Sequence, residues 1–317
     1  MSSTKRVLVT GGAGFIGSHV CEAYRDAGWA VTALDDLSSG RPENVPDGVE
    51  LVEMDVRSEN LANLFANGRF DLVNHHAAQI DVRVSVERPR HDASINIDGL
   101  LNLLEVACAS DVGRFVYVSS GGVVYGEPED LPVPETAPKL PLSPYGVSKL
   151  TGEHYLFFYR HIRGLESVAL RYSNVYGPRQ DPHGEAGVVA IFCQRILDGE
   201  PLTVFGDGRQ TRDYVYVGDV ARANLAASQV ELAVPECIDD VAFNVGTSRE
   251  TTVNELAQTL MRAAGRTVEV VHAPARPGEL ERSALAVDRF AAAGWEPDRT
   301  LEEGLAATYA HIADQRR

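Results

Sequence analysis

The segment that decides the fold reads VLVTGGAGFIG and spans Val7–Gly17. Four residues typical of a buried strand lead directly into three spaced glycines, Gly11, Gly14 and Gly17. At a strand-to-helix junction, such glycines allow a tight turn, close approach of the backbone to a pyrophosphate, and close packing of a helix whose first N–H groups attract anions. The segment therefore predicts a dinucleotide-binding unit.

Apolar runs alternate with amphipathic stretches on either side of this segment, which predicts a parallel sheet covered by helices on both faces. We therefore expect an α/β protein with a Rossmann doubly wound parallel sheet and a smaller C-terminal α/β substrate domain. The predicted strands are Val7–Thr10, Val31–Leu34, Leu51–Met54, Leu72–Asn74, Phe115–Ser119, Ser167–Arg171, Leu202–Phe205, Tyr214–Val217, Phe243–Val245 and Val268–His272. The predicted helices span about 15–27, 93–109, 145–162, 219–228 and 253–264.

The domain boundary is expected where this alternation loosens, in the turn-rich stretch NVYGPR at 174–179. Residues 1–173 plus about 213–246 would form the dinucleotide-binding domain. Residues of about 174–212 plus 247–317 would form the substrate domain.

The second predicted strand ends at Asp35, where a carboxylate can accept hydrogen bonds from both hydroxyls of a ribose. Asp35 and its neighbour Asp36 would repel the additional phosphate of NADP, so the sequence predicts NAD. Two further strand ends meet the same edge of the sheet. They supply Asp55 and Val56, beside the adenine, and then His76, Ala77, Ala78 and Gln79.

Composition excludes several classes of function. With 29 basic and 45 acidic residues, the formal charge of -16 opposes binding to nucleic acid or to anionic lipid. The sequence shows neither a signal peptide nor a run of about 18 apolar residues, so we expect no membrane association and a cytoplasmic protein.

A metal site is not expected either. Four well-separated cysteines show no CxxC pair and are interpreted as reduced thiols (Cys21, Cys108, Cys193 and Cys237). His75 and His76 are neighbours on a strand and should point to opposite faces of the sheet.

A YxxxK pair, Tyr145 and Lys149, should share one face of a helix. A phenol with a pKa of about 10 is a poor base at neutral pH unless nearby cations lower that value, as Lys149 and an oxidised nicotinamide would. The alternative is an ordinary surface lysine, but the chain has only three lysines in all. Ser119 and Ser120, at the end of the fifth strand, could hydrogen-bond the substrate hydroxyl that Tyr145 would deprotonate.

Taken together, these motifs resemble the extended short-chain dehydrogenase/reductase family and, within it, the UDP-glucose 4-epimerases. The resemblance runs from the glycine segment through SS at 119–120, PYGVSK at 144–149, LRYSNVYGPRQ at 170–180 and FGDGRQTRD at 205–213 to RPGE at 276–279. It covers nearly the whole chain.

The resemblance implies that Tyr145 takes the proton of the sugar 4-hydroxyl while hydride passes from carbon 4 to NAD. The 4-keto sugar turns over and hydride returns to its other face, so NAD stays tightly bound. Further cofactor contacts are implied for Phe15, Ile16, Ser38, Ser39, Gly40, Asn96 and Tyr172, besides Tyr145 and Lys149.

The UDP-sugar is implied to lie against residues of the C-terminal half, as well as Ser120 and Tyr145. Asn174, Arg212 and Arg276 would bind the nucleotide, with structural salt bridges as the alternative for either arginine, and Thr203 and Phe205 would lie near uracil. Ser283 falls where the family gates the space beside the sugar's 2-position, and its small size predicts that UDP-N-acetylhexosamines are accepted too. A homodimer formed through the helices at about 93–109 and 145–162 is also implied.

One position departs from the family pattern. Four residues before Tyr125, where many such epimerases carry the catalytic serine or threonine, this chain has Gly121. Ser120 is the preferred substitute and Ser119 the alternative.

Two rival functions share parts of this pattern. A nucleotide-sugar 4,6-dehydratase or decarboxylase has the same fold, but dehydratases of this family usually carry Asp-Glu where this chain has Gly121-Gly122. A non-catalytic NAD-sensing protein is the other rival, and retention of Tyr145 and Lys149 argues against it.

Overall fold

The computed structural model describes residues 4–182, 187–275 and 280–316. Its strands are β1 Arg6–Thr10, β2 Ala30–Asp35, β3 Glu50–Glu53, β4 Leu72–His75, β5 Arg114–Ser120, β6 Glu166–Tyr172, β7 Asn174–Tyr176, β8 Leu202–Phe205, β9 Thr211–Arg212, β10 Tyr214–Tyr216, β11 Ala242–Val245, β12 Thr251–Thr252 and β13 Val270–Ala273. Its α-helices are α1 Phe15–Asp26, α2 Leu61–Gly68, α3 Val82–Glu87, α4 Pro89–Ala93, α5 Gly99–Ala109, α6 Gly121–Val124, α7 Pro144–Arg163, α8 Val188–Asp198, α9 Val217–Ala227, α10 Val253–Ala264, α11 Asp288–Ala292 and α12 Leu301–Asp314. Short 3-10 helices span Pro42–Asn44 and Ile238–Val241.

Seven parallel strands form the central sheet, in the order β11-β6-β5-β4-β1-β2-β3. The prediction of a doubly wound parallel sheet is confirmed. Strand β1 pairs with β2 on one side and β4 on the other, so the connections leaving these strands diverge at the carboxyl end of β1. A crevice at such a divergence is where open parallel sheets bind their ligands.

Strand residues alternate between two apolar cores, one on each face of the sheet. Val9 and Val168 point toward the face covered by α1 and α9, whereas Leu8 and Phe115 point toward the face covered by α5 and α7. Both faces of the sheet are therefore buried, which explains why its strands are almost continuously apolar.

The rest of the chain builds small strand pairs and a third apolar core. Strand β7 pairs with β10, β8 with β13, and β9 with β12, while α8, α10 and α12 pack together over Phe192, Leu256 and Leu305. Strand β11 then returns to complete the central sheet beside β6. The exact division into domains remains a prediction.

The helix predicted over about 93–109 is interrupted in the structure. A π-helical turn, Ser94–Asp98, separates α4 from α5. The wider turn brings Asn96 inward, where its side chain pairs with the backbone of Gln79. Sequence periodicity does not reveal such a turn, because the turn depends on a partner in another segment.

No helix among the described residues is long and apolar enough to cross a membrane.

Candidate active site

The glycine turn is shaped by backbone crowding. Gly11 has φ of +66°, and a Cβ there would lie 2.8 Å from the backbone nitrogen of Ala77. A Cβ on Gly17 would lie 2.0 Å from the carbonyl oxygen of Gly11, and one on Gly14 would lie 3.1 Å from the same oxygen. Side chains are thus excluded where helix α1 begins. This side-chain-free cradle, at a helix amino terminus with unpaired N–H groups, fits a dinucleotide pyrophosphate. Phe15 and Ile16 form the first turn of α1 beside it.

Asp35 is buried at the end of β2 and is held in a fixed orientation. Its carboxylate accepts hydrogen bonds from the backbone N–H groups of Ala13 (3.0 Å) and Leu37 (2.9 Å). Gly40 passes so close that a Cβ there would lie 2.5 Å from Asp35 Oδ1. Burial raises the pKa of this carboxyl group above its ordinary value, and the two backbone hydrogen bonds oppose that shift.

The neighbouring loop is more exposed. Asp36 accepts hydrogen bonds from the N–H and hydroxyl of Ser38, and Ser39 is exposed beside them. At the end of β3, Asp55 pairs with Arg57 at 2.5 Å, while Val56 is buried against Gly99. These groups all follow the ends of β2 and β3, next to Asp35.

His75 and His76 face opposite sides of the sheet, as the alternation predicts. His75 Nδ1 lies 2.7 Å from the Thr10 hydroxyl and its ring lies beside Phe115, whereas the ring of His76 lies beside Tyr172. Burial lowers the pKa of His76 to about 3, so the imidazole is neutral. Its buried Nε2 has no hydrogen-bond partner among the described residues, which suits a ligand that supplies a hydrogen-bonding group.

No cluster of three or more His, Cys, Asp or Glu residues in the described ranges could hold a metal ion.

Several predicted cofactor residues use their side chains within the protein. Asn96 Oδ1 accepts a hydrogen bond from the Gln79 N–H at 2.9 Å, and Asn96 Nδ2 donates to the Gln79 carbonyl at 2.9 Å. The Tyr172 hydroxyl accepts a hydrogen bond from Asn224 at 2.6 Å. These side chains join neighbouring segments at the sheet edge, where Ala77 and Ala78 follow the end of β4.

Tyr145 and Lys149 lie one turn apart near the start of α7, which Ser143 caps by accepting a hydrogen bond from the Gly146 N–H. The buried Lys149 ammonium donates to the Val118 carbonyl at 2.9 Å and lies 5.7 Å from the centre of the Tyr145 ring. Burial lowers the pKa of Lys149 to about 8. The structure therefore brings the predicted pair together, with a cation beside the phenol.

The two serines at the end of β5 have different surroundings. Ser119 is buried and donates to Glu153 Oε1 at 2.5 Å, and Glu153 also accepts hydrogen bonds from the buried Arg171. Ser120, one residue later, is partly buried and precedes helix α6. The Ser119 hydroxyl is thus part of a buried ionic network, whereas Ser120 stands at the carboxyl edge of the sheet.

Packing explains why position 121 is a glycine. A Cβ on Gly121 would lie 2.5 Å from Leu285 Cδ1, and Leu285 is itself almost completely buried. The space that a side chain at position 121 would need is filled by a leucine from a distant segment.

A cavity of about 480 Å³ opens beside β7 and β8. Four predicted substrate residues line it together: Asn174, Thr203, Phe205 and Arg212. Ser283 is buried in a neighbouring segment, where the Val133 N–H donates to the carbonyl of the adjacent Ala284, and it is not among the residues lining this cavity. Arg276 lies outside the described residues.

Sequence reasoning missed two groups of residues at this site. Gln180 lines the cavity, and its buried Oε1 has no partner among the described residues, although Nε2 donates to the Val175 carbonyl. Its place at the end of the LRYSNVYGPRQ motif was the available signal. The Glu153–Arg171 pair was also missed, although Glu153 lies one helical turn beyond Lys149.

Comparison with known proteins identifies the family of this chain. The family model for the NAD dependent epimerase/dehydratase family matches residues 7–246. The chain is 44% identical over 299 residues to a putative UDP-glucose 4-epimerase of Methanocaldococcus jannaschii, and the match covers 94% of this chain and 95% of that protein.

Two solved structures are similar over almost the whole chain. The UDP-glucose 4-epimerase of Thermotoga maritima, solved with UDP-glucose, is 44% identical with a TM-score of 0.93, covering 98% of this chain and 100% of the other. The UDP-glucose 4-epimerase of Thermus thermophilus, solved with NAD, is 47% identical with a TM-score of 0.90, covering 97% and 99%. This chain therefore belongs to the NAD dependent epimerase/dehydratase family.

Proposed function

We propose that this protein is a UDP-glucose 4-epimerase, which interconverts UDP-glucose and UDP-galactose by NAD-dependent inversion at carbon 4 of the sugar. The observation that carries the proposal is the buried Lys149 ammonium, 5.7 Å from the Tyr145 ring, at the same sheet edge as the glycine turn. Close relatives with this name cover nearly the whole chain.

The glycine turn and Asp35 would hold the cofactor. The side-chain-free space at Gly11, Gly14 and Gly17 suits a pyrophosphate, and the fixed carboxylate of Asp35 suits the hydroxyls of a ribose. Bound NAD supplies the acceptor, and later the donor, of the hydride at carbon 4. A carboxylate at this point disfavours the extra phosphate of NADP.

Tyr145 would serve as the acid–base group. Its phenolate, stabilised by the Lys149 ammonium, takes the proton of the 4-hydroxyl as that carbon is oxidised, and the phenol returns the proton when the 4-keto sugar is reduced on its other face. Ser120 would donate a hydrogen bond to the same oxygen in both directions. The proton and the hydride both return to the sugar, so the reaction has no net redox change.

The cavity beside β7 and β8 would hold the UDP part of the substrate. Arg212 offers charge-assisted donors for phosphate oxygens, and Asn174, Thr203 and Phe205 lie in the same lining. Arg276 is proposed as a second phosphate ligand on the basis of its motif alone. The sugar would then extend from this cavity toward Tyr145.

Acceptance of N-acetylated sugars is proposed from the small side chain of Ser283. Ser283 is buried two residues before Leu285, the residue that packs against Gly121, and this position supports it as the gate beside the sugar. Comparing turnover of UDP-N-acetylglucosamine with that of UDP-glucose tests this, and absence of any acetylated epimer would refute it.

We further propose a homodimer, supported by the exposed apolar side chains of Phe158 and Ile162 on one face of α7. Such a pair, one helical turn apart, suits a helix–helix interface. A cytoplasmic location and a part in galactose metabolism remain predictions.

The decisive experiment is incubation of the purified protein with UDP-galactose, followed by chromatographic detection of UDP-glucose. The epimerase proposal expects both sugars at equilibrium from either starting material, without added reductant. A dehydratase would instead yield a 4-keto-6-deoxy sugar, and a decarboxylase or an NAD sensor would leave UDP-galactose unchanged.

A further inference from the structure

A buried carboxylate outside the residues so far assigned to the reaction lies behind the Tyr145–Lys149 pair. Asp92, on α4, is only 1% exposed, yet it accepts three hydrogen bonds. The donors are the hydroxyl of Ser148 at 2.6 Å, Nε2 of Gln79 at 2.9 Å and Nδ2 of Asn96 at 3.0 Å. Both carboxyl oxygens of Asp92 therefore serve as acceptors, each for donors from other segments of the chain.

The hydrogen bonds of Asp92 connect three parts of the site. Ser148 is the residue before Lys149 on α7, and Gln79 follows the end of β4. Asn96, in the π-helical turn, also holds the backbone N–H and carbonyl of Gln79. Asp92 therefore ties the helix turn that carries the catalytic pair to the sheet edge that would face the nicotinamide.

The Lys149 ammonium has no direct ion-pair partner among the described residues. Its side chain is also buried. Burial without a counter-charge favours the neutral amine. Asp92 is the group whose charge raises the pKa of Lys149, against the larger lowering by burial.

The other titratable groups around Lys149 do not supply that charge. Burial lowers the pKa of His75, the last residue of β4, and of the next residue, His76. Burial also raises the pKa of Tyr117, on β5, so all three remain neutral near pH 8. On α7 itself, Glu153 is paired with Arg171. Tyr145 is the reacting group.

We propose that Asp92 is a positioning residue that keeps the Lys149 ammonium charged and holds its helix turn in register with the cofactor edge. This inference rests on the proposed roles of Tyr145 and Lys149. It assigns to a buried carboxylate control over the pH range in which the phenolate is available.

The test is the pH dependence of kcat for Asp92→Asn, which keeps the size of the side chain and removes its charge. Conversion of UDP-galactose is followed by chromatography, so that no coupling enzyme affects the profile. We expect the alkaline limb to move to lower pH by about one unit, with KM changed less than kcat. Should Asp92→Asn fail to fold, Asp92→Ser removes the same charge with a smaller side chain.

Ser148→Ala is the matched control, because it removes one hydrogen bond and leaves the carboxylate. It should leave the alkaline limb in place. The proposed charge effect would be overturned if the Asp92 variants kept the alkaline limb of the wild type. It would also be overturned if Ser148→Ala moved that limb by the same amount.

Tyr145→Phe separates this inference from the site assignment on which it rests. If Tyr145→Phe is inactive while the Asp92 variants keep the wild-type limb, only the role of Asp92 is wrong. If Tyr145→Phe is fully active, the site assignment itself fails.

Discussion

The Ser119 hydroxyl lies 2.5 Å from Oε1 of Glu153, inside a buried network that Arg171 completes. Ser119 is one of two adjacent serines that could hydrogen-bond the substrate hydroxyl, and this contact separates their roles. A hydroxyl that must balance a buried carboxylate is poorly placed to bind substrate as well. The remaining serine, Ser120, is therefore the one we assign to the reaction.

Replacing each serine should have different consequences. Ser120→Ala should lower kcat about 100-fold with little change in the melting temperature, because it removes a donor to the oxygen that gains charge. Ser119→Ala should instead lower the free energy of unfolding by about 1–3 kcal/mol, since Glu153 loses a buried partner. Turnover and thermal unfolding of both variants check this, and the reverse pattern would reassign the catalytic hydroxyl.

Tyr145→Phe should reduce kcat by a factor of about 100 to 10,000, because it removes the phenolate proposed to take the proton of the 4-hydroxyl. Binding of UDP and the melting temperature should stay close to those of the wild type. Tyr155→Phe, on the same helix, is the matched control and should keep its activity. Steady-state kinetics and UDP titration give the required comparison, and nearly normal turnover by Tyr145→Phe would exclude the phenol as the acid–base group.

Activity should decline as the pH rises above about 8, the value to which burial lowers the pKa of Lys149. The direction follows from the charge, since a rise in pH removes the ammonium proton and the phenolate loses its counter-charge. Lys149→Arg keeps a cation at all accessible pH values. We expect that variant to be less active because of its shape, but without the alkaline decline. A profile of kcat against pH for both proteins measures this, and an unchanged decline in Lys149→Arg would assign it to another group.

Gly121→Ser adds a side chain at this glycine and should destabilise the protein. Its Cβ would meet the buried Leu285 at 2.5 Å, and overpacking of this kind costs about 1–3 kcal/mol. Adding Leu285→Ala should relieve the clash, so that the double variant is more stable than the sum of the single effects predicts. Denaturant unfolding of the four proteins provides the cycle, and strict additivity would mean that the two positions do not compete for space.

Phe158→Asp should convert a dimer to a monomer, because it places a charge in the exposed apolar face of α7 where Phe158 is 48% exposed. Val234→Asp is the control, since Val234 is 86% exposed on another part of the surface. Light scattering coupled to gel filtration reports the mass of each. A monomeric wild-type protein, or a dimeric Phe158→Asp, would contradict an interface on this helix.

Local sequence spacing determined the parts of the site that depend on one or two adjacent elements. The Gly11 turn, the carboxylate of Asp35 at a strand end, and the pairing of Tyr145 with Lys149 all follow from the periods of strands and helices. The doubly wound parallel sheet was predicted for a similar reason, because alternating strands and helices allow few parallel arrangements. These expectations needed no knowledge of distant contacts.

Only the tertiary structure decided which side chains meet across long stretches of the chain. Ser119 and Glu153 are 34 residues apart, and Ser148 and Asp92 are 56 apart. Leu285 fills the space at Gly121 from a distant segment. No local period encodes such encounters, since they arise when buried polar groups must find partners and apolar side chains must fill the remaining volume. The sequence by itself thus pointed to the chemical groups of the proposed site, whereas packing decided which serine is bound to Glu153 and which carboxylate binds Ser148, the neighbour of Lys149.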